Sequence, residues 1–118
     1  MVMQGTRRVG LDAEYSVIGS LLIEPSIIGE LFATCKTSDF SRAELGTIYQ
    51  AAQRLFIAGR PVDAVTIRAA IGKEYEPLLM ECMSVTPSAV SWRAYVSEMQ
   101  EQTRVYRIRL LAEQLREV

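Results

Sequence analysis

Hydrophobic residues recur every three or four positions along most of this chain, which is the spacing of helices with one buried face. In the first such segment, residues 13–23, the apolar face carries Val17, Ile18, Leu21 and Leu22. The same period predicts four more short helices, over residues 26–34, 42–58, 64–71 and 77–84. No segment alternates apolar and polar residues over the length of a strand. The pattern therefore predicts an all-α domain, a compact bundle of about five short helices followed by one long helix.

The long helix, predicted over about residues 89–118, has hydrophobic residues on two faces. At 100° per residue, one face carries Trp92, Tyr95, Val96, Met99, Thr103, Tyr106 and Leu110. At about 45 Å the helix is longer than a head of five short helices can cover. We expect Trp92 and Tyr95 to lie in the core, and the distal part to project and to require a partner. The predicted partner or oligomer interface comprises Val105, Tyr106, Ile108, Leu110, Leu111, Leu115 and Val118.

Helix ends are marked most clearly between the third and fourth segments. Gly59 can adopt the left-handed conformation that ends a helix, and Pro61 cannot continue one. Asp63 offers a side-chain oxygen to the free N–H groups at the next helix start. Gly19 lies inside the first helix, where glycine is less stable than alanine. We therefore expect a neighbouring helix to pack close to the backbone at that position. Two further caps are predicted, one at Asp12 and one as a capping box formed by Ser41 and Glu44.

Composition excludes several classes of function. The chain has 118 residues, 49% of them hydrophobic, a net charge of −1 and no histidine. This suits one domain, and it argues against binding of nucleic acid through charge alone. Cys35 and Cys82 have apolar neighbours and no C-x-x-C spacing, so we predict buried free thiols in a reducing compartment. With no signal peptide and no apolar run of bilayer length, we expect a cytoplasmic protein without a catalytic residue, metal site or cofactor site of its own.

We assign structural roles to the charged residues. Arg104, Arg107, Arg109 and Arg116 alternate with glutamates on the last helix, which indicates a solvated face more than a surface for DNA or a partner. Glu14 is expected to stabilise the dipole of the first helix from its first turn. Asp39, Glu44 and Asp63 are interpreted as caps, not as metal ligands.

Several short motifs occur in one order along the chain. They are AEYSVIGSLL at 13–22, DF at 39–40, IYQA at 48–51, GRPVDAVTI at 59–67, TPSA at 86–89 and AYV at 94–96. Together they resemble the N-terminal domain of DnaB-family replicative DNA helicases. Ser41 and Leu45 depart from the family pattern, which has an aromatic residue and often a histidine there. These departures indicate a distant, phage-borne or prophage-borne member.

The resemblance implies a helical head over residues 12–90 and the first helix of a helical hairpin over 91–118, preceded by a flexible segment, 1–11. It implies the collar of a hexameric, ATP-dependent helicase, which pairs with itself and docks primase and in some systems a loader. ATP, Mg²⁺ and contact with DNA would belong to an ATPase domain absent from this chain. The sequence has no G-x-x-x-x-G-K-S/T phosphate loop, so this chain alone is not expected to be an enzyme.

Two other interpretations remain open. One is a stand-alone helical adaptor, from a phage or mobile element, that binds replication proteins. The other is a helix-turn-helix DNA-binding protein whose recognition helix, residues 64–71, offers only Arg68 to read bases. An enzyme is the weakest alternative, because the chain has no histidine and no paired carboxylates.

Overall fold

The computed structural model of this chain describes residues 9–116, with side chains described from residue 13 onward. No β-strand occurs between residues 9 and 116, which confirms the predicted all-α class. Three single-turn 3₁₀ helices, Pro25–Ile27, Thr37–Asp39 and Lys73–Tyr75, lie in the connections. The α-helices are α1 (Val9–Ile23), α2 (Ile28–Thr34), α3 (Ala43–Ile57), α4 (Ala64–Ile71), α5 (Glu76–Ser84) and α6 (Trp92–Arg116).

The central helix of the bundle is α1, which packs against α3, α5 and α6. Val17, Ile18 and Leu21 are completely buried, as the apolar periodicity predicted. The close neighbour predicted at Gly19 is the end of α5, because a Cβ at Gly19 would lie 2.2 Å from Thr86 Oγ1. The carbonyl oxygen at position 82 would lie 2.3 Å from the same Cβ. Only glycine lets the two segments approach this closely.

An aromatic group joins α2, α3 and the loop between them. Tyr49 of α3 is fully buried, and its hydroxyl donates to the Cys35 carbonyl oxygen at 2.6 Å. The rings of Phe32 and Phe40 contact the Tyr49 ring, with centroids 5.2 and 5.0 Å away. Cys35 and Cys82 are free and buried, as predicted, and burial raises the pKa of each thiol to about 12. These contacts fix the loop that follows α2 against the core.

The predicted joint between α3 and α4 is confirmed. Gly59 has φ of 73°, and its N–H donates to the Phe56 carbonyl while the Arg60 N–H donates to the Leu55 carbonyl. This pair of bonds is the Schellman ending of a helix. Asp63 then caps α4 by accepting from the Thr66 N–H at 2.8 Å. The next ending, at Gly72, also has positive φ, 117°.

Two predicted caps are wrong. Ser41 and Glu44 form no capping box, because α3 begins at Ala43 and its N-cap residue, Arg42, makes no side-chain cap. Instead the carboxylate of Glu14 reaches across from α1 and accepts from the Ser41 N–H at 3.0 Å, the Ser41 hydroxyl and the Arg42 N–H at 3.3 Å. The Ser41 hydroxyl and the two backbone N–H groups just before α3 are therefore bound by a buried carboxylate from α1, and the local serine–glutamate pair does not form.

The second wrong cap is Asp12. Because α1 begins at Val9, Asp12 lies inside the helix and not at its cap. The helix therefore also includes residues 9–11, which the sequence assigned to a flexible segment, while residues 1–8 lie outside the described part of the chain. Glu14 lies correspondingly deeper in the helix than the first turn expected from the sequence. It is 3% exposed, and its role is the cap on α3 described above.

Candidate partner interface on the last helix

The last helix, α6, divides into a buried and an exposed part. It has 25 residues, a length of about 37 Å at 1.5 Å per residue. Trp92, Val96, Met99 and Thr103 are buried against the head, as the first apolar face predicted. Tyr95 is half-buried and packs against the same core. From residue 106 to 116 every described side chain is exposed.

Three of the predicted interface residues form a single line on the exposed part. Ile108, Leu111 and Leu115 are 54%, 58% and 68% exposed, and we call them the distal stripe. Their spacing of three and then four residues is that of a seam between paired helices. Isolated apolar residues on a surface are ordinary, whereas a row at this spacing makes the distal stripe a candidate interface.

The structure does not bring every predicted interface residue into that line. Tyr106 and Leu110 are 51% and 42% exposed and lie on the other side of α6. Val105 is half-buried. Val118 lies outside the described residues. The exposed part of the helix therefore presents two apolar sides, and the more continuous of them is the distal stripe.

At the base of the exposed part, α6 is hydrogen-bonded to the loop after α2. The amide of Gln100 donates to the Thr34 carbonyl at 3.1 Å and to Asp39 Oδ2 at 2.9 Å. The Thr103 hydroxyl donates to the Asp39 carbonyl at 2.7 Å. The Arg107 guanidinium donates to the carbonyl of Ser38. We call this set of bonds the loop latch.

Sequence reasoning missed the loop latch. It interpreted Asp39 as a cap, which the structure confirms, since Asp39 Oδ2 also accepts from the Lys36 N–H at 3.0 Å. It interpreted Arg107 as part of a solvated face, which agrees with the exposure of this side chain, although the guanidinium also donates to the Ser38 carbonyl. The available signal was a row of side-chain donors on one face, at Gln100, Thr103 and Arg107. The loop acceptors opposite them cannot be identified without the fold.

A shallow groove runs beside the loop latch toward the distal stripe. Its volume is about 400 Å³, and Arg104 and Arg107 line it together with Ile108 and Leu111. The Arg104 guanidinium pairs with Glu101 at 2.7 Å, and both side chains are largely exposed. That pair agrees with the predicted solvated face of alternating charges and adds little to stability.

The described residues bring together no cluster of potential metal ligands, since no group of three or more lies between residues 9 and 116. No single described helix is long and apolar enough to span a bilayer. Two consecutive segments, Ala13–Ile23 and Pro25–Thr34, reach the required length and hydropathy only as a pair bent by 105°.

Comparison with known protein families shows which family the chain belongs to. The family model for the DnaB-like helicase N-terminal domain matches residues 7–101 of the chain. The chain belongs to this family. The predicted resemblance is thereby confirmed. A curated relative, the replicative DNA helicase DnaB of Mycobacterium leprae, is 28% identical in a 105-residue alignment that covers 83% of this chain and 17% of the relative. The chain thus spans less than a fifth of the length of that helicase.

Solved structures of DnaB-like proteins share the fold. The N-terminal domain of DnaB helicase from Mycobacterium tuberculosis superposes with a TM-score of 0.80 at 26% identity, covering 91% of this chain and 83% of that one. The corresponding Helicobacter pylori domain, studied with its interactions with primase, gives a TM-score of 0.80 at 22% identity, over 98% and 94% of the two chains. A DnaB-like replicative helicase, also described with its interactions with primase, gives 0.67 at 27% identity, over 90% of this chain and 27% of that one.

Proposed function

We propose that this chain is the N-terminal collar domain of a hexameric, ATP-dependent replicative DNA helicase, where it mediates subunit assembly and docks primase or a loader in the cytoplasm. The observation that carries the proposal is the distal stripe, an apolar row on a helix that has already left the head. Membership of the DnaB-like N-terminal domain family supports the helicase context. The chain's own part in that context is to bind other proteins.

The first proposed partner is a second copy of the chain. Burying a leucine or isoleucine fully contributes about 1.5–3 kcal/mol. The stripe residues Ile108, Leu111 and Leu115 are a little over half exposed. Their burial on two copies would contribute about 5–10 kcal/mol, whereas association costs about 4–15 kcal/mol. The balance is close to zero, so we expect a weak dimer that forms as concentration rises, with the same surface used on both copies.

The second proposed partner is primase, with a helicase loader as a further candidate. Two structural relatives were studied in interaction with primase, and one of them is 27% identical to this chain. Binding would require no chemistry from this chain, only an exposed surface of suitable shape and polarity. We propose that the same docking role applies here.

ATP and Mg²⁺ belong to the proposed parent helicase and not to this chain. Their binding needs a glycine-rich loop that wraps phosphates and a hydroxyl that binds the metal. The sequence has no such loop, and the described residues bring together no cluster of metal ligands. The residues present do not fit the nucleotide, so no step of ATP hydrolysis is assigned to them.

The experiment is a calorimetric titration of this chain with the primase encoded in the same genome. We expect saturable binding that does not depend on ATP. No measurable binding at the highest attainable concentration would contradict the docking role. Translation of the gene past Val118 separates the helicase domain from the stand-alone adaptor. A phosphate-loop motif downstream supports the helicase, and its absence supports the stand-alone adaptor.

A further inference from the structure

We propose that the loop latch sets the direction in which α6 leaves the head, with Asp39, Gln100, Thr103 and Arg107 as its positioning residues. The inference goes beyond the proposed function and does not depend on which partner the distal stripe binds. It concerns the geometry that any such partner would meet.

The loop latch lies at the point where α6 leaves the head. Met99 is the last fully buried hydrophobic residue of α6, and Thr103 is the last buried residue. Gln100, Thr103 and Arg107 follow at intervals of three and four residues and therefore lie on one side. Within the described residues, no hydrogen bond to the head starts beyond Arg107. The latch is the final attachment before the helix becomes solvent-exposed.

In the loop latch, the hydrogen-bond donors all lie on α6 and the acceptors all lie opposite it, on residues 34–39. On α6 every bond of the latch comes from a donor, the Gln100 amide, the Thr103 hydroxyl and the Arg107 guanidinium. On the loop every bond is accepted, by two backbone carbonyls at 34 and 38 and by the carboxylate and carbonyl of Asp39. These donors and acceptors can all pair at once in only one position of α6 relative to the loop. Rotation or tilt of the helix would therefore break several bonds together.

The loop that accepts these bonds is itself held by the head on its other side. Phe40 packs its ring on Tyr49, with centroids 5.0 Å apart, and Glu14 of α1 binds the backbone of Ser41 and Arg42. The loop is therefore fixed relative to the core, and α6 is bonded to the loop. Apolar packing around Trp92 to Met99 fixes where the helix crosses the head, whereas the directional bonds of the latch fix its angle.

The helix amplifies any change at the latch. From Met99 to Arg116 it extends for about 25 Å at 1.5 Å per residue. A pivot of about 10° around Met99 would move its tip by about 4 Å over that lever. A shift of this size is comparable to the spacing between neighbouring residues of the distal stripe, so the latch determines whether two such stripes can align.

Spin labels measure this angle directly. One label is attached at Gln50→Cys on the exposed side of α3 and the other at Gln114→Cys near the tip of α6. Cys35 and Cys82 are buried, and labelling of the parent without added cysteines controls for them. An excess of unlabelled protein removes distances between copies. Pulsed electron paramagnetic resonance then gives the distribution of distances within one chain.

The latch variant is Gln100→Ala with Arg107→Ala, and the matched control is Gln102→Ala with Arg109→Ala on the exposed side of the same helix. We expect the latch variant to shift or broaden the distance distribution by about 4 Å or more, with helical content unchanged by circular dichroism. The control should reproduce the parent distribution. An unchanged distribution in the folded latch variant would overturn the proposal, and so would an equal change in the control.

Single variants keep the test decisive if the double variant loses structure. Arg107 is exposed, so Arg107→Ala removes its bond to the Ser38 carbonyl without opening the core. Thr103→Val removes a buried donor at nearly constant shape, and Thr103→Ser retains it. We expect Thr103→Val to broaden the distribution and Thr103→Ser to restore the parent one. Equal distributions for all three single variants and the parent would refute the positioning role, leaving the proposed docking function unaffected.

Discussion

We expect Glu14→Gln to destabilise the chain much more than Glu44→Gln, although both glutamates lie near the start of α3. The capping-box pattern makes Glu44 the important residue, whereas the structure assigns the role to Glu14. The perturbation is the same in both cases, Glu14→Gln and Glu44→Gln, which removes one negative charge and preserves size. The pair therefore tests which residue caps the helix.

The magnitude follows from the contacts of each carboxylate. Both oxygens of Glu14 accept hydrogen bonds, one from Ser41 and the other from the Arg42 N–H at 3.3 Å. A glutamine there would present an amide donor to one of these donors. Hydrogen bonds to charged groups contribute about 1.5–3 kcal/mol, so we expect Glu14→Gln to lower the free energy of unfolding by about 2–3 kcal/mol. Glu44 is exposed and forms no capping box, so only its interaction with the helix dipole is lost, about 0.5 kcal/mol.

Thermal and urea unfolding of the three proteins at one concentration provides the measurement. For a domain of this size, we expect Glu14→Gln to lower the Tm by about 10 °C and Glu44→Gln to lower it by no more than a few degrees. Equal Tm values for Glu14→Gln and the parent would refute the reasoning. A larger loss for Glu44→Gln than for Glu14→Gln would favour the capping box instead.

Three further predictions concern the head. Gly19→Ala should destabilise the head by about 1–3 kcal/mol, measured by urea unfolding. Adding Thr86→Ala should recover only part of the lost stability, because the Cys82 carbonyl oxygen would still lie 2.3 Å from the new methyl group. Asp63→Ala should cost about 1 kcal/mol by thermal unfolding, because it removes the cap on the Thr66 N–H. The raised pKa of both thiols, from 9.0 to about 12, means that the stability they contribute is present below pH 9 and is lost as pH rises toward 12. A variant with alanine at both cysteines should show a smaller loss of stability over that range, measured by the urea midpoint.

Local signals in the sequence predicted much of the fold. Gly59 and Asp63 marked helix ends that depend only on neighbouring residues, and both are confirmed. Gly19 indicated a close neighbour, because an unexplained glycine in a helix costs stability unless another segment needs the space. These features could be predicted because the physical cause and its effect lie within a few residues of one another.

Features that depend on distant residues could not be predicted in this way. The cap on α3 comes from Glu14, 27 residues before Ser41, and no local pattern connects them. The loop latch joins Thr103 to Asp39 across 64 residues. The distal stripe lies between these cases. Its spacing and its separation from Tyr106 and Leu110 were visible in the sequence, but only the structure shows that Ile108, Leu111 and Leu115 lie beyond the part of α6 that the head covers.

Sedimentation of the parent and of the double variant Ile108→Glu with Leu115→Glu tests the proposed interface most directly. The matched control places the same two charges on the head, as Ile57→Glu with Val90→Glu, where both side chains are more than 80% exposed. We expect the parent and the control to shift from 13.2 kDa toward twice that mass as concentration rises. The stripe variant should remain a folded monomer. A parent that stays monomeric at every concentration, or a stripe variant that unfolds or still dimerises, would contradict the interface.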